Sequence, residues 1–350
     1  ATDPAFGGLG AIILGGSVDQ TITVPAAGAS IGSITINKTS SANKVTIAGG
    51  SLTCTGTVTF INGLLYTGAN NSLVLGGNLV GFAIPGYVRN VATGNKSHVV
   101  GNVTVPLKGG AIVAFGRNEF PVGDVTYYRP AAITIVTPAA GSIPMGISAT
   151  IKYDNTRPTG IIGLPIVNGV STGVDIARYP NFSWFIKTSG SLGQTQFNLE
   201  LTAEGYADFD DIANVRMIRR SGTLADVTNT WSLQGALYDN FVIAGIPSVV
   251  NVNSTGGLIP GGAIYTYGLK STMVIANPIA AISLTDASKT FTRNLTNPAL
   301  FTGARGAISY SVTIDNPAVA TAVVAGDVLT VTLKVSGTTF VTVTGTDAFD

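Results

Sequence analysis

Six short triplets between residues 34 and 75 constrain this chain more than anything else in it: Ile34-Thr-Ile36, Val45-Thr-Ile47, Leu52-Thr-Cys54, Val58-Thr-Phe60, Leu64-Leu-Tyr66 and Leu73-Val-Leu75. Most set a polar residue between two apolar ones, the period-two pattern of a short strand. The first and fourth are 24 residues apart, the second and fifth 19, the third and sixth 21. Three strands therefore recur at a nearly fixed interval, which is solenoid spacing. A parallel β-helix-like solenoid is the natural form, because each coil buries its apolar residues only when a neighbouring coil covers them. Gly49-Gly50, Gly63, Gly68, Asn70-Asn71 and Gly76-Gly77 fall between the triplets, where the corners require positive φ. A stack of short hairpins is the competing reading. Two clear coils are few, so flanking segments are expected to cap both ends.

Downstream the strands lengthen, as in Ile147 to Tyr153, Phe182 to Thr188 and Gln196 to Ala203. Helical periodicity appears nowhere, and strands every ten to fifteen residues predict an antiparallel β-sandwich. Trp184, Phe185, Phe197, Tyr206 and Trp231 are its expected core. The expected organisation is all-β: an apolar arm at 1–16, a solenoid at 17–126, a sandwich at 127–276 and a final unit at 277–350.

Between solenoid and sandwich lies Phe120-Pro-Val-Gly-Asp-Val-Thr-Tyr-Tyr-Arg-Pro130, followed by Ala132-Ile-Thr-Ile-Val136. Phe-Pro-Val-Gly followed by Tyr-Arg-Pro resembles a module of large secreted surface proteins of the Bacteroidota type, exported by the type IX route. The resemblance covers roughly residues 20 to 275. It implies a short β-helix passing into a β-sandwich, on the outside of a bacterial cell. The last segment, with Ala307-Ile-Ser-Tyr-Ser-Val-Thr-Ile-Asp-Asn-Pro and Thr339-Phe-Val-Thr-Val-Thr-Gly-Thr-Asp347, resembles bacterial Ig-like or cadherin-like surface repeats.

Few residues could carry chemistry. One histidine, His98, and one cysteine, Cys54, leave no multi-histidine or cysteine-rich zinc site and no disulfide framework. Cys54 alternates like a strand residue and reads as a small buried hydrophobe, and His98 as surface or strand filler. The Gly-x-Gly pairs lack the following helix that phosphate binding uses. Asp208, Asp210 and Asp211 form the one dense acidic cluster, a candidate calcium site against the alternative of a solvated turn. No other cofactor is expected. Asp315, Asp347 and Asp350 lack a full calcium pattern, and Arg216, Arg219 and Arg220 read as one strand's outer edge. A net charge of +1 with no basic cluster argues against nucleic acid, and no apolar run is long enough to span a membrane as a helix.

Only 11% of the residues are charged, against about 25% in average domains. Such a surface of Thr, Gly and Asn suits contact with further copies of itself. Residues 1–16 hold no charge beyond Asp3 and no initiator Met, the pattern of a mature end left after signal removal. Their run Ala11-Ile12-Ile13-Leu14 either caps the next domain or adds as a strand to a neighbouring subunit, which makes these four the candidate subunit interface. The sequence thus predicts a non-enzymatic structural subunit of an extracellular filament or sheath, a homopolymer assembling head-to-tail. The alternative is a cell-surface adhesin or glycan-binding protein, with Tyr87, Tyr127, Tyr128, Tyr265 and Tyr267 as an exposed platform and glycans or a surface anchor as partners.

Overall fold

The computed structural model describes residues 10–76, 87–89, 91–92, 94–107, 117–137, 147–161, 165–166, 174–192, 196–206, 215–234, 237–243, 246–254, 258–270, 273–285, 289–304 and 307–347. Among them there is no α-helix, and the chain is all-β. It divides into two compact units, Ala1–Leu269 and Lys270–Asp350.

The first unit begins with four turns of chain stacked in parallel. Strands β1 (Ala11–Gly16), β2 (Gln20–Thr23) and β3 (Ala29–Ile31) make the first turn; β4 (Ser33–Lys38), β5 (Lys44–Ala48) and β6 (Leu52–Cys54) make the second. The third is β7 (Val58–Asn62) and the long β8 (Leu64–Leu75), and the fourth β9 (Tyr87–Arg89) and β10 (Val99–Pro106). Ile12 pairs with Ile34, Ile34 with Val58 and Val58 with Tyr87; on the other faces Val45 pairs with Leu65, and Leu52 with Leu73. Three of these pairs run through the recurring triplets. Ile34, Ile36, Val45, Val58, Phe60, Leu65 and Leu73 are wholly buried, because each turn roofs the one below it. The corners are tight. At Gly49, with φ at 91°, a Cβ would lie 2.1 Å from the Val24 carbonyl oxygen, so no larger residue fits where the first two turns cross.

The chain then builds β11 (Arg117–Phe120), β12 (Ala131–Thr137), β13 (Ser148–Asp154), β14 (Pro165–Ile166), β15 (Val174–Arg178) and β16 (Ser183–Thr188). The unit closes with β17 (Gln196–Thr202), β18 (Val215–Ser221), β19 (Ser232–Leu233), β20 (Leu237–Ile243), β21 (Ile246–Ser254) and β22 (Ala263–Lys270). Strand β10 pairs in parallel with β8 on one edge and antiparallel with β13 on the other. The sheet runs on through β16, β22 and β18, all antiparallel. A second antiparallel sheet, ordered β11-β12-β17-β21-β20, packs over it. Trp184, Tyr265, Tyr267, Phe182 and Phe197 fill the space between, with Phe182 and Trp184 edge to face at 5.4 Å. One hydrophobic cluster extends from Val24 to Leu269. The expected boundary at 126/127 is therefore no break between compact units: a shared sheet and a shared core cross it.

The Phe-Pro-Val-Gly stretch is where the two halves are fastened. Val99 donates to the Pro121 carbonyl at 2.8 Å and Gly123 donates back to the Val99 carbonyl at 3.1 Å. A Cβ on Gly123 would lie 2.2 Å from the Tyr127 carbonyl oxygen and 2.8 Å from His98 Nε2. Arg129 is buried, with its guanidinium 3.7 Å over the Phe182 ring, Nε donating to the Glu204 carbonyl at 2.8 Å and Nη1 donating to the Tyr153 hydroxyl. Its own carbonyl accepts the Trp184 indole N–H at 2.8 Å. Nearby, Arg117 forks onto Glu200 at 2.7 and 2.9 Å. His98, expected as filler, is instead sealed beneath the turn, its Nε2–H donating to the Asp124 carbonyl at 2.6 Å and its Nδ1 without a partner.

In the second unit β23 (Val274–Ile275) precedes β24 (Thr290–Asn294), β25 (Phe301–Thr302), β26 (Ile308–Ile314), β27 (Ala320–Ala325), β28 (Val328–Leu333) and β29 (Val341–Asp347). A three-stranded sheet, β24-β28-β27, faces a two-stranded one, β26-β29. Leu295, Leu300, Ala320, Leu329 and Val331 are buried there, whereas the inward residues of β26 and β29 are only half covered.

Two predictions follow from the fastening turn. Gly123→Ala has no room, so it should lower unfolding free energy by about 1–3 kcal/mol, read as a reduced urea midpoint at unchanged m. Burial pushes the His98 pKa down to about 4 from 6.5. Above 6.5 the ring is neutral folded or unfolded; between 6.5 and 4 only the unfolded state takes up the proton. Stability should therefore fall by about 3 kcal/mol as pH drops through that window, and His98→Gln should flatten the slope in urea titrations at pH 4.5 and 7.5.

Candidate functional site

The strand that most distinguishes this surface is β1. Its sequence, Ala-Ile-Ile-Leu-Gly-Gly, has no charge, and it pairs in parallel with β4 from Ala11 opposite Ser33 to Gly16 opposite Lys38. Ile12 and Leu14 pack against the core of their own chain, while Ile13 faces away and is 72% exposed. The arm expected at 1–16 thus contributes Ala11–Gly16 as the first strand of the stack. Strand β1 ends its sheet, β2 ends the long sheet, and among the described residues nothing pairs with their outer edges. Natural sheets blunt such edges with charge, proline or bulges. Here the edge is uncharged and carries an exposed isoleucine.

This first turn is firmly held from below. The Lys38 ammonium donates to the Gly15 carbonyl at 2.7 Å, the Val18 carbonyl at 2.5 Å and Gln20 Oε1 at 3.0 Å, so all three of its protons are used. Asn43 Nδ2 donates to the Ser17 carbonyl at 2.8 Å, and the Lys44 backbone N–H to Asp19 at 2.9 Å. Sequence reasoning passed over Lys38, although a signal was present: it continues the inward alternation of Ile34 and Ile36, a position where a free ammonium could not remain.

A second open surface lies in the Lys270–Asp350 unit. Between β24 and β29 is a groove of about 540 Å³, lined by Phe291, Leu329, Val331, Phe340, Val341 and Val343 among others, and no lining residue is charged. The segment from Ile279 to Leu284 borders it without forming a strand, and Phe340 at its mouth is 74% exposed. Asp315 braces that mouth by accepting from the Phe340 N–H at 2.8 Å and from the Thr339 hydroxyl, and these bonds hold its carboxyl below the usual range.

The residues that might have carried chemistry are placed otherwise. Cys54 is buried with its S–H toward the Gly32 carbonyl at 3.0 Å, and burial raises its pKa. Asp208, Asp210 and Asp211 lie outside the described residues, among which no three His, Cys, Asp or Glu cluster as metal ligands would. A cleft of about 350 Å³ beside the fastening turn includes Tyr66, Asp124, Lys152 and Asp154. Its carboxylates are engaged structurally: Asp124 accepts the Thr126 and Tyr127 N–H groups, Asp154 the Thr156 N–H and the Lys152 ammonium.

Two expectations need correction. Tyr265 and Tyr267 cannot belong to an exposed platform, because both are wholly buried and the Tyr267 hydroxyl donates to the Leu201 carbonyl at 2.7 Å. Tyr127 and Tyr128 are half-buried, one against Arg129 and the other under Arg89, and the Tyr87 side chain lies outside the described set. Arg220 is likewise no outer-edge residue. It is buried against Trp231 and donates to the Thr159 and Leu224 carbonyls at 3.3 and 3.2 Å.

Compared with known protein families, curated proteins and solved structures, the chain matches none of them. Among the described residues no helix is long and apolar enough to cross a membrane.

Lys38→Met keeps the stem but removes the three charge-assisted bonds, and should loosen the first turn by about 2 kcal/mol. Amide exchange at Ile12–Leu14 should accelerate by more than about tenfold, with the β12–β17 amides unchanged.

Proposed function

We propose that this protein is a structural, non-enzymatic subunit of a secreted extracellular filament or sheath at a bacterial surface, polymerising head-to-tail. In this reading the parallel turns form a short β-helix, residues 270–350 form an Ig-like sandwich, and export follows the type IX route that the Phe-Pro-Val-Gly and Tyr-Arg-Pro motifs suggest. The observation that carries it is the uncharged edge of β1, which nothing among the described residues pairs with, and Ile13 at 72% exposure. An edge of that kind is a template for another strand, and a contact that is not two-fold symmetric continues into a fibre instead of closing. The low charge of the chain supports the same reading, since few groups would repel a neighbouring copy.

Strand β1 pairs with β4 of its own chain, as the capping alternative for Ala11, Ile12, Ile13 and Leu14 expects, so in this reading the strand stays at home and offers its second edge to a neighbour. Burial of Tyr265 and Tyr267 removes two members of the proposed aromatic platform, so the adhesin reading has less to stand on.

Sedimentation velocity and negative-stain electron microscopy of the purified chain test the proposal. Mass should rise with concentration and elongated particles should appear. A single 35.6 kDa species throughout the range would overturn the filament reading.

A further inference from the structure

We infer that the cleft of about 350 Å³ beside the fastening turn is a binding subsite for one neutral sugar ring, which stacks on Tyr66 and is hydrogen-bonded by Asp124, Lys152, Asp154 and Asn155. The inference is independent of the filament reading, and Tyr66 is not one of the five tyrosines of the expected platform.

The first argument is why a sheet face has a hollow here at all. Strands β8 and β10 pair in parallel with Val100 opposite Tyr66 and Asn102 opposite Ser72, so β10 covers in two residues a corner on which β8 spends six. Ala69, Asn70 and Asn71 are left without partners on β10. The surplus is braced: Asn102 Nδ2 donates to the Ala69 and Asn71 carbonyls at 3.0 and 2.9 Å, and the Asn102 backbone N–H to Thr67 Oγ1 at 2.7 Å. At Gly101, with φ at 134°, a Cβ would lie 2.2 Å from that same hydroxyl oxygen. Irregularities of this kind gather beside active sites, where they re-aim side chains. Ala69, Gly101 and Gly123 line the cleft with next to no side chain, which keeps it open.

The second argument is the chemistry of the lining. Tyr66 is half-buried and supplies an aromatic ring, with Val100 and Val125 as further apolar surface. Asp124 is fixed by the Thr126 and Tyr127 N–H groups on Oδ1 at 2.6 and 2.8 Å. Asp154 is fixed by the Thr156 N–H on Oδ1 at 2.9 Å and by the Lys152 ammonium on Oδ2 at 3.1 Å. A carboxylate has about four acceptor positions, so the bonds that aim these two groups leave others for a ligand, and Lys152 keeps two protons. The exposed Asn155 amide adds both a donor and an acceptor. A sugar ring presents C–H groups on its faces and hydroxyls, each donor and acceptor, around its edge. An aromatic surface beside acceptors and donors already held in place is the complement of that pattern.

Size and charge narrow the class. The volume is at the lower end of ligand pockets, room for one ring with the rest of a glycan outside. Two carboxylates face the single Lys152 ammonium, so an acidic sugar is repelled and a neutral one admitted. A wholly apolar ligand would strip water from Asp124 and Asp154 and give nothing back.

The test is saturation-transfer NMR on the full-length chain. The probes are methyl glycosides of glucose, galactose, mannose and N-acetylglucosamine at roughly 10 mM, tenfold above a millimolar Kd, with glucuronic and sialic acids as anionic counterparts. At least one neutral glycoside should show transfer. Tyr66→Ala should weaken its binding about tenfold or more and Asn155→Ala about threefold, while Tyr66→Phe keeps it. Should Tyr66→Ala fail to fold, Asn155→Ala and Lys152→Met carry the same test. No transfer to any neutral glycoside, equal transfer to the acidic sugars, or binding undiminished in the Tyr66→Ala and Asn155→Ala chains would overturn the inference. Polymerisation or its absence bears on none of these outcomes, so the subsite and the filament reading can fail separately.

Discussion

Strand Val99–Pro106 carries a different partner geometry on each edge, and the first unit depends on it. On one side it makes the slanted bonds of a parallel pair, interrupted by an irregularity at Gly101; on the other it makes the perpendicular bonds of an antiparallel one. A stack of parallel turns must end somewhere, and its last turn would normally present a row of unpaired N–H and C=O groups. On the face of Val99–Pro106 that row is consumed by Ser148–Asp154, and there the stack becomes the first strands of a sandwich. Phe120 and Val122, both wholly buried, and the bonds between Val99 and the Pro121–Gly123 turn keep the change of direction from fraying.

The deep cations follow a common rule. Lys38, Arg129 and Arg220 are all buried, and each is held by carbonyls, hydroxyls, an amide oxygen or aromatic faces, with no carboxylate among their hydrogen-bond acceptors in the described residues. In a chain with 18 acidic residues in 350, fixed dipoles supply what ion pairs supply elsewhere. Carbonyl oxygens at a strand end or corner are already oriented, so a cation placed there both satisfies them and pins the corner. Arg117 with Glu200 is the exception, at the partly exposed edge of the second sheet.

Much of the fold was legible because strand spacing is a local property. The 24-residue interval between Ile34 and Val58 and the 21-residue interval between Leu52 and Leu73 are the observed pairings, while Val45 pairs with Leu65, one residue beyond the triplet match at Leu64. The last turn was hidden by irregular length: Val58 pairs with Tyr87 across 29 residues, too long to read as the same repeat. Trp184, Phe197 and Trp231 were recognisable as interior because large aromatics at strand spacing have little else to do. The inward position of Lys38 was legible in the alternation of Ile34 and Ile36, but the partners of Lys38, Arg129 and His98 were not, since a buried polar group is defined by partners as far away as Glu204 or Asp124. The same holds for β1: its apolar run marked it for pairing, but whether its own chain would take one edge depends on Ser33–Lys38, which no local pattern of residues 11–16 reveals.

The change from parallel to antiparallel within one sheet has a mechanical corollary. Two bodies joined by a tether yield first at the tether, which extends before either body is loaded. Between Ala11 and Leu269 the two architectures share strands and a core, so tension along a fibre would have to slide neighbouring strands past one another with many bonds resisting together. In the filament reading, residues 11–269 would act as a strut and not as a link in a chain.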